Sequence, residues 1–204
     1  MLVRMRLPAG DSELVQIMDA ALAKAAAKAG ARLACREGCT PCCHGAFAIN
    51  ALDAARLKNY MEALRVSNPT LAETIVHRAQ QWIEEHGEAY PGNRQTGRLG
   101  ESDADQEAFE AFANEAACPA LDPLTGRCDV YTARPMTCRV FGPPVRMGEG
   151  DALGCCELCF IGVPEQEIAA CEMDVPHELE AKLLADGVDE GETVVAFALL
   201  CATE

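Results

Sequence analysis

The first hundred residues alternate apolar and polar positions with a helical period. Leu14, Ile17, Met18, Ala21, Leu22 and Ala25 recur at spacings of three and four, which places them on one face of a helix. Asp11 or Ser12 caps that helix and Gly30 stops it, so it delivers the chain to Cys35. Beyond a stretch crowded with cysteine, Asn50 caps a second helix. Asp53 stands in its capping-box position, and Leu57, Tyr60, Met61 and Leu64 share a face. Asn68 and Pro69 open a third, striped by Leu71, Ile75, Ala79, Trp82 and Ile83 and ended by Gly87. Gly92, Gly97, Gly100 and Pro91 then mark a loop, and Phe109, Phe112, Ala113 and Ala116 predict a fourth helix over 102–118.

The pattern changes at Cys118. Residues 118–163 are rich in proline, glycine and cysteine and hold no helical period; short strands are expected around 129–131 and 139–141. Short helices follow Pro164 and Pro176, and the apolar run 194–201 reads as either helix or strand. No internal repeat is visible. The fold expected is mainly α, one domain over 1–204: a helical body with irregular cysteine-rich segments and at most a few short strands. So long an irregular stretch does not hold its shape in a small core without crosslinks or a bound centre.

Composition narrows the classes. A chain of 204 residues with 50% hydrophobic and 24% charged residues folds around its own core. Its net charge of −15 repels phosphate, which argues against nucleic acid and anionic membranes as partners. Residues 147–204 hold Lys182 as their only Lys or Arg and form an acidic cover. The N-terminus lacks the apolar run of a signal peptide, and 194–201 is too short to span a bilayer, so a cytoplasmic location is expected. In that compartment thiols stay reduced, and twelve cysteines point to metal or redox chemistry rather than to disulfides.

The cysteines are clustered. Cys35, Cys39, Cys42 and Cys43 lie within nine residues; Cys118, Cys128 and Cys138 are evenly spaced; Cys155, Cys156 and Cys159 form a third group; Cys171 and Cys201 stand alone. Thiolates at offsets of one, three and four residues in a Gly/Pro-containing loop converge on a single centre when the loop turns tightly. Adjacent residues such as Cys42 and Cys43 point apart, so the set makes either one four-thiolate centre across both regions or a multinuclear site. Arg36, Arg134 and Arg139, with Arg32 and Arg127, lie close to these cysteines in sequence, where guanidinium charge would offset an anionic centre.

Cys35-x3-Cys39-x2-Cys42-Cys43, followed by Cys118-Pro119 and by Gly126-Arg127-Cys128-x2-Tyr131-x2-Arg134-Pro135-x2-Cys138-Arg139, resembles the YkgJ family of zinc- or iron-chelating cysteine-cluster proteins. The likeness spans residues 35–141, and similar cysteine patterns occur in flagellin lysine N-methylases, where it implies an iron–sulfur cluster. The resemblance implies Cys35, Cys39, Cys42, Cys43, Cys128 and Cys138 as the ligand pool, with Cys118 beside them; Cys155, Cys156 and Cys159 are less standard and suggest a second centre. Four closed cysteines suit either metal. Cys39-x2-Cys42 and Cys156-x2-Cys159 supply zinc-type pairs, while a tight three-cysteine cluster with distant partners suits a four-iron cubane (4Fe-4S), the form favoured here.

Two other classes compete. Cys39-Thr40-Pro41-Cys42 has the form of a thiol–disulfide exchange motif, although a helix rather than a strand precedes it. Cys35-x3-Cys39-x2-Cys42 also has the spacing of radical S-adenosylmethionine enzymes, but this helix-rich chain is too short for their barrel, and a cluster-dependent protein-modifying enzyme in another fold is the alternative it leaves. Gly148-x-Gly150-x3-Gly154 misses the dinucleotide spacing. His44 adjoins the cluster as a ligand or hydrogen-bond donor, whereas His77, His86 and His177 lie on predicted helices without partners.

Overall fold

The structure, a computed structural model, describes residues 6–36, 38–146, 152–186 and 191–200. Helix α1 (Asp11–Ala29) starts after Gly10, at φ 103°, and stops at Gly30, at φ 55°, backbone conformations that only glycine adopts cheaply. Helix α2 (Ala51–Ser67) is capped by the Asn50 side chain, which accepts the Asp53 N–H at 3.0 Å. Asn68 alone separates it from α3 (Pro69–His86) and caps that helix in turn, accepting the Leu71 N–H at 3.2 Å. The three long helices thus run where their apolar periods place them.

Helix α4 (Asp103–Glu110) is shorter than the sequence predicts. Its start is a full capping box from Ser102 and Asp105, but Ala113 turns to φ 50°. The Ala113 and Ala116 carbonyls accept the N–H groups of Ala46 and Gly45, at 3.2 and 2.9 Å. Those backbone groups bond across to the first cysteine loop instead of up a helix. Phe112 still reaches the core, edge-on to Trp82 and Tyr90 at 5.7 and 5.6 Å between ring centres.

The strands expected at 129–131 and 139–141 are absent. Residues Tyr131–Ala133 form a 3-10 turn and Met136–Val140 form helix α5, because Pro135 precedes the first turn and Asp53 captures the Met136 N–H. Helices α6 (Glu165–Ala169) and α7 (His177–Ala185) follow their prolines as read. The last apolar run divides: Thr193 and Val194 make strand β6, paired antiparallel with β1 (Ala48–Ile49), and Val195–Leu199 makes helix α8. Cys201 and the glycine-rich stretch at 148–150 lie outside the described residues. Two more two-residue pairs, β2 (Gly92–Asn93) with β3 (Arg98–Leu99) and β4 (Val145–Arg146) with β5 (Leu153–Gly154), complete the strands described. The architecture is mainly α.

Helices α2, α3 and α8 pack on one another around Leu57, Met61, Ile75, Ala79 and Leu199, all fully buried. Each such large apolar side chain contributes about 1.5–3 kcal/mol. A second apolar cluster joins α1, α5 and α7 through Leu14, Met18, Met136 and Leu183, with Leu52 of α2 and Met173. Among the acidic residues of the C-terminal part, Glu167 meets Arg32 and Glu172 meets Arg146, each at 2.7 Å. Among the described residues no helix is long and apolar enough to cross a membrane.

Candidate metal centre

The segment carrying Cys138 is fixed by charge buried between helices. Arg56 of α2 is 6% exposed and donates to Asp11 of α1 and to Asp53 of its own helix, at 2.6 Å each. Asp53 then accepts the Met136 N–H at 3.0 and 3.1 Å, which caps α5. Burial pushes the Asp53 carboxyl up to about 6, against the opposing pull of Arg56 and the Met136 N–H. Locally, Asp53 reads as a capping-box residue and Asp11 as a helix start. Their joint role across three helices is tertiary and left no local signal.

Arg139 closes the same segment. Its side chain is 1% exposed, donates to the Arg134 and Thr132 carbonyls at 3.1 and 2.8 Å, and pairs with Asp19 of α1. Arg134 donates to the Tyr131 carbonyl at 3.0 Å and lies over the Tyr131 ring, 3.9 Å from its centre. Both guanidiniums, which the sequence suggested as counter-charge for a metal centre, bind the backbone of residues 131–134. Arg36 is exposed, and its carbonyl accepts the Cys39 N–H at 3.0 Å.

Cys118 and Cys128 stand on the two legs of one tight loop. The Leu121 to Cys128 bridge and the Asp129 N–H to the Ala120 carbonyl, at 2.8 Å, join the legs. At the tip, Asp122 accepts from Leu124 N–H and Thr125 hydroxyl, and Gly126 takes φ 69°. The Cys118 N–H donates to the Cys43 carbonyl at 2.7 Å, tying this loop to the 3-10 turn Pro41–Cys43. Two stretches 75 residues apart are thereby locked side by side.

The thiols then fall into two groups. In the first, Cys43 senses the charge of Cys42, Cys118 and Cys128, and Cys138 that of Cys118, Cys128 and Cys42. Cys43 holds the proton of its pair, raised by the hydrogen bond to Cys42 and by burial, while that bond lowers Cys42 to about 6. Burial pushes Cys118 up to about 12, and it raises Cys128 and Cys138 as well. In the second group, Cys35 is raised to about 12, first by desolvation and then by the charges of Cys159, Cys39 and Cys156, with a hydrogen bond to Cys159. Cys156 senses Cys159 and Cys39, whereas Cys155 senses Cys159 only. Gly38 and Thr40, on either side of Cys39, lie against Gly126 at the tip of the Cys118–Cys128 loop.

All the cysteines described are free thiols. Among the described residues no three His, Cys, Asp or Glu side chains already stand as a ready-made ion cage. His44 is exposed and its Nδ1 lies 3.2 Å from the Thr40 carbonyl, while Cys171 is buried beside Cys159 and Phe160. A groove of about 710 Å³, lined by Arg78, Trp82, His86, Asn114 and Pro119, opens beside Cys118.

A family model, CxxCxxCC, described as a "putative zinc- or iron-chelating domain", matches residues 34–159. No curated protein and no solved structure matches the chain.

Proposed function

Since the matched span is more than half of its length, the chain belongs to the CxxCxxCC family of zinc- or iron-chelating domains, and we propose that it binds an iron–sulfur cluster of the four-iron type through partly buried thiols. Cys42, Cys43, Cys118, Cys128 and Cys138 are the ligand pool. The observation that carries this reading is their convergence from three separate stretches, held by the 2.7 Å bond from Cys118 to the Cys43 carbonyl and by the capping of α5.

The donor set fits the group. It is all thiol, the ligand type that selects zinc or iron–sulfur clusters. Within the pool no two residues have the Cys-x2-Cys spacing of a zinc knuckle, and a cluster takes one thiolate per iron from irregular positions. Burial raises Cys118, Cys128 and Cys138, and since a metal takes the thiolate form, loading releases protons and is favoured as pH rises. When bound, the cluster supplies electron transfer or, with one iron left open, Lewis acidity. The groove beside Cys118 keeps that side of the group open to an approaching molecule.

Anaerobic purification followed by iron, sulfide and zinc analysis and a visible spectrum tests the reading. A brown protein with about four irons and as many sulfides per chain is expected, with iron lost in Cys118→Ser and in Cys138→Ser. A colourless protein whose zinc is lost in those variants refutes the cluster. Full occupancy in both variants refutes the ligand set.

A further inference from the structure

We propose that the groove beside Cys118 docks an extended, basic peptide segment of a partner protein, which adds as a strand to an open backbone edge at Ala117. The proposal does not depend on which metal the thiols hold.

The edge arises from the way two cysteine stretches meet. His44 and Ala117 form an antiparallel bridge, and the bonds that make it belong to their neighbours. Gly45 N–H donates to the Ala116 carbonyl at 2.9 Å, and Cys118 N–H donates to the Cys43 carbonyl at 2.7 Å. Along extended backbone, successive residues turn their N–H and C=O groups to opposite sides, so those of Ala117 point away from residues 43–45. Among the described residues nothing meets them. The His44 N–H, by contrast, is closed onto the Pro41 carbonyl at 3.2 Å. Ala117 is exposed, and unpaired strand edges of this kind are what an incoming strand completes.

The groove lies on that open side. Residues of α3 and of 111–123 line it, Ala117 among them, and none of 43–45 does. Its volume of about 710 Å³ is that of a ligand site rather than a packing defect. Arg78, Trp82 and Glu85, spaced by four and three, form one stripe of α3 along the far wall. A strand on the Ala117 edge turns alternate side chains to opposite faces, so apolar ones can meet Trp82 and Pro119 while the others reach the polar rim.

Charge selects the peptide. The Arg78 guanidinium is taken by Asp129 at 2.5 Å. Glu85, 72% exposed, stands on one wall with His86 beside it, and exposed Glu115 stands on the other. Two carboxylates facing one groove in a chain of net charge −15 favour a lysine or arginine there and repel an acidic segment.

The test is fluorescence anisotropy of a labelled short peptide of alternating valine and lysine, titrated with the full-length chain purified anaerobically. The valine–glutamate counterpart is measured at the same ionic strength. Saturable binding of the basic peptide is expected, at least about tenfold tighter than that of the acidic one. Ala117→Pro deletes the outward N–H and leaves both inward bonds, which use atoms of Ala116 and Cys118; it should weaken binding about tenfold. Ala117→Val keeps the donor and should bind as wild type does. Glu85→Lys with Glu115→Lys should also weaken binding about tenfold, whereas the same charge change made by Glu165→Lys with Glu178→Lys, on α6 and α7, should change it less than about twofold. Helicity by circular dichroism and metal content check each variant. Absence of saturable binding overturns the proposal, as does tighter or equal binding of the acidic peptide. A folded Ala117→Pro that binds as wild type does overturns the strand addition. If Ala117→Pro does not fold, the two charge-reversed pairs decide: equal losses in both mean attraction to the whole acidic chain and overturn the site.

Discussion

Replacing Arg139 by lysine separates a clamp from a counter-charge. Lysine keeps the positive charge but is a single point donor on a flexible stem, whereas the guanidinium serves three acceptors at once. Those acceptors are the Arg134 carbonyl, the Thr132 carbonyl and Asp19. An ammonium that takes Asp19 leaves two carbonyls in a region where the replaced side chain was 1% exposed. Each buried carbonyl left bare costs about 1–3 kcal/mol, and a loss of about 3 kcal/mol follows for the pair. Asp19 is half-exposed and hydrates, so it adds little. In a chain of this size each kcal/mol moves Tm by about 2–4 °C, which gives a drop of about 6–12 °C. The assay is thermal unfolding of metal-free, reduced protein, because no metal-centre charge is present there to be neutralised. Arg139→Met should fall at least as far. An Arg139→Lys variant within about 2 °C of wild type, beside a much weaker Arg139→Met, would show that charge and not the fork of hydrogen bonds holds residues 131–139.

The remaining expectations concern the same joints. Asp53→Ala removes the cap of α5 and leaves the buried Arg56 with Asp11 alone; a loss of about 3–5 kcal/mol, read by denaturant unfolding, is expected, and a loss under 1 kcal/mol would show that Met136 needs no cap. Gly142→Ala combines backbone strain at φ 116° with collision against the Cys35 sulfur and should cost about 1–3 kcal/mol in denaturant unfolding. The control Gly162→Ala, at φ 72° with nothing within 4 Å, carries the backbone strain alone and should cost less, and equal losses in both would remove Cys35 from the argument. Stripping metal with a chelator should open residues 118–146 to protease while α1, α2 and α3 remain helical; uniform protection would mean that the segment holds itself.

Much of the helical frame was legible because each long helix carries its own signals. Asn50, Asn68 with Pro69, Gly30 and the apolar periods of α1, α2 and α3 act within one turn, and a local signal survives whatever packs around it. The helical period over 111–116 does not extend α4, because the carbonyls of Ala113 and Ala116 bond instead to Ala46 and Gly45, about seventy residues earlier. The strands expected near Cys138 gave way to α5 for the same kind of reason: the deciding group is the Asp53 carboxylate on another helix.

For the candidate site, the sequence by itself determined that sulfur would be gathered, since cysteine at such density in three groups points to metal or redox chemistry in a chain of this class. Which sulfurs meet was decided only by tertiary structure. Cys42 and Cys43 sit in the 3-10 turn Pro41–Cys43, which the bond from the Cys118 N–H to the Cys43 carbonyl sets beside the Cys118–Cys128 loop, while the Ala34 N–H on the Cys159 sulfur sets the start of the same cysteine stretch against the third group. Spacing along the chain bounds how far apart two side chains can lie, but their direction is fixed by the backbone partners that each turn finds.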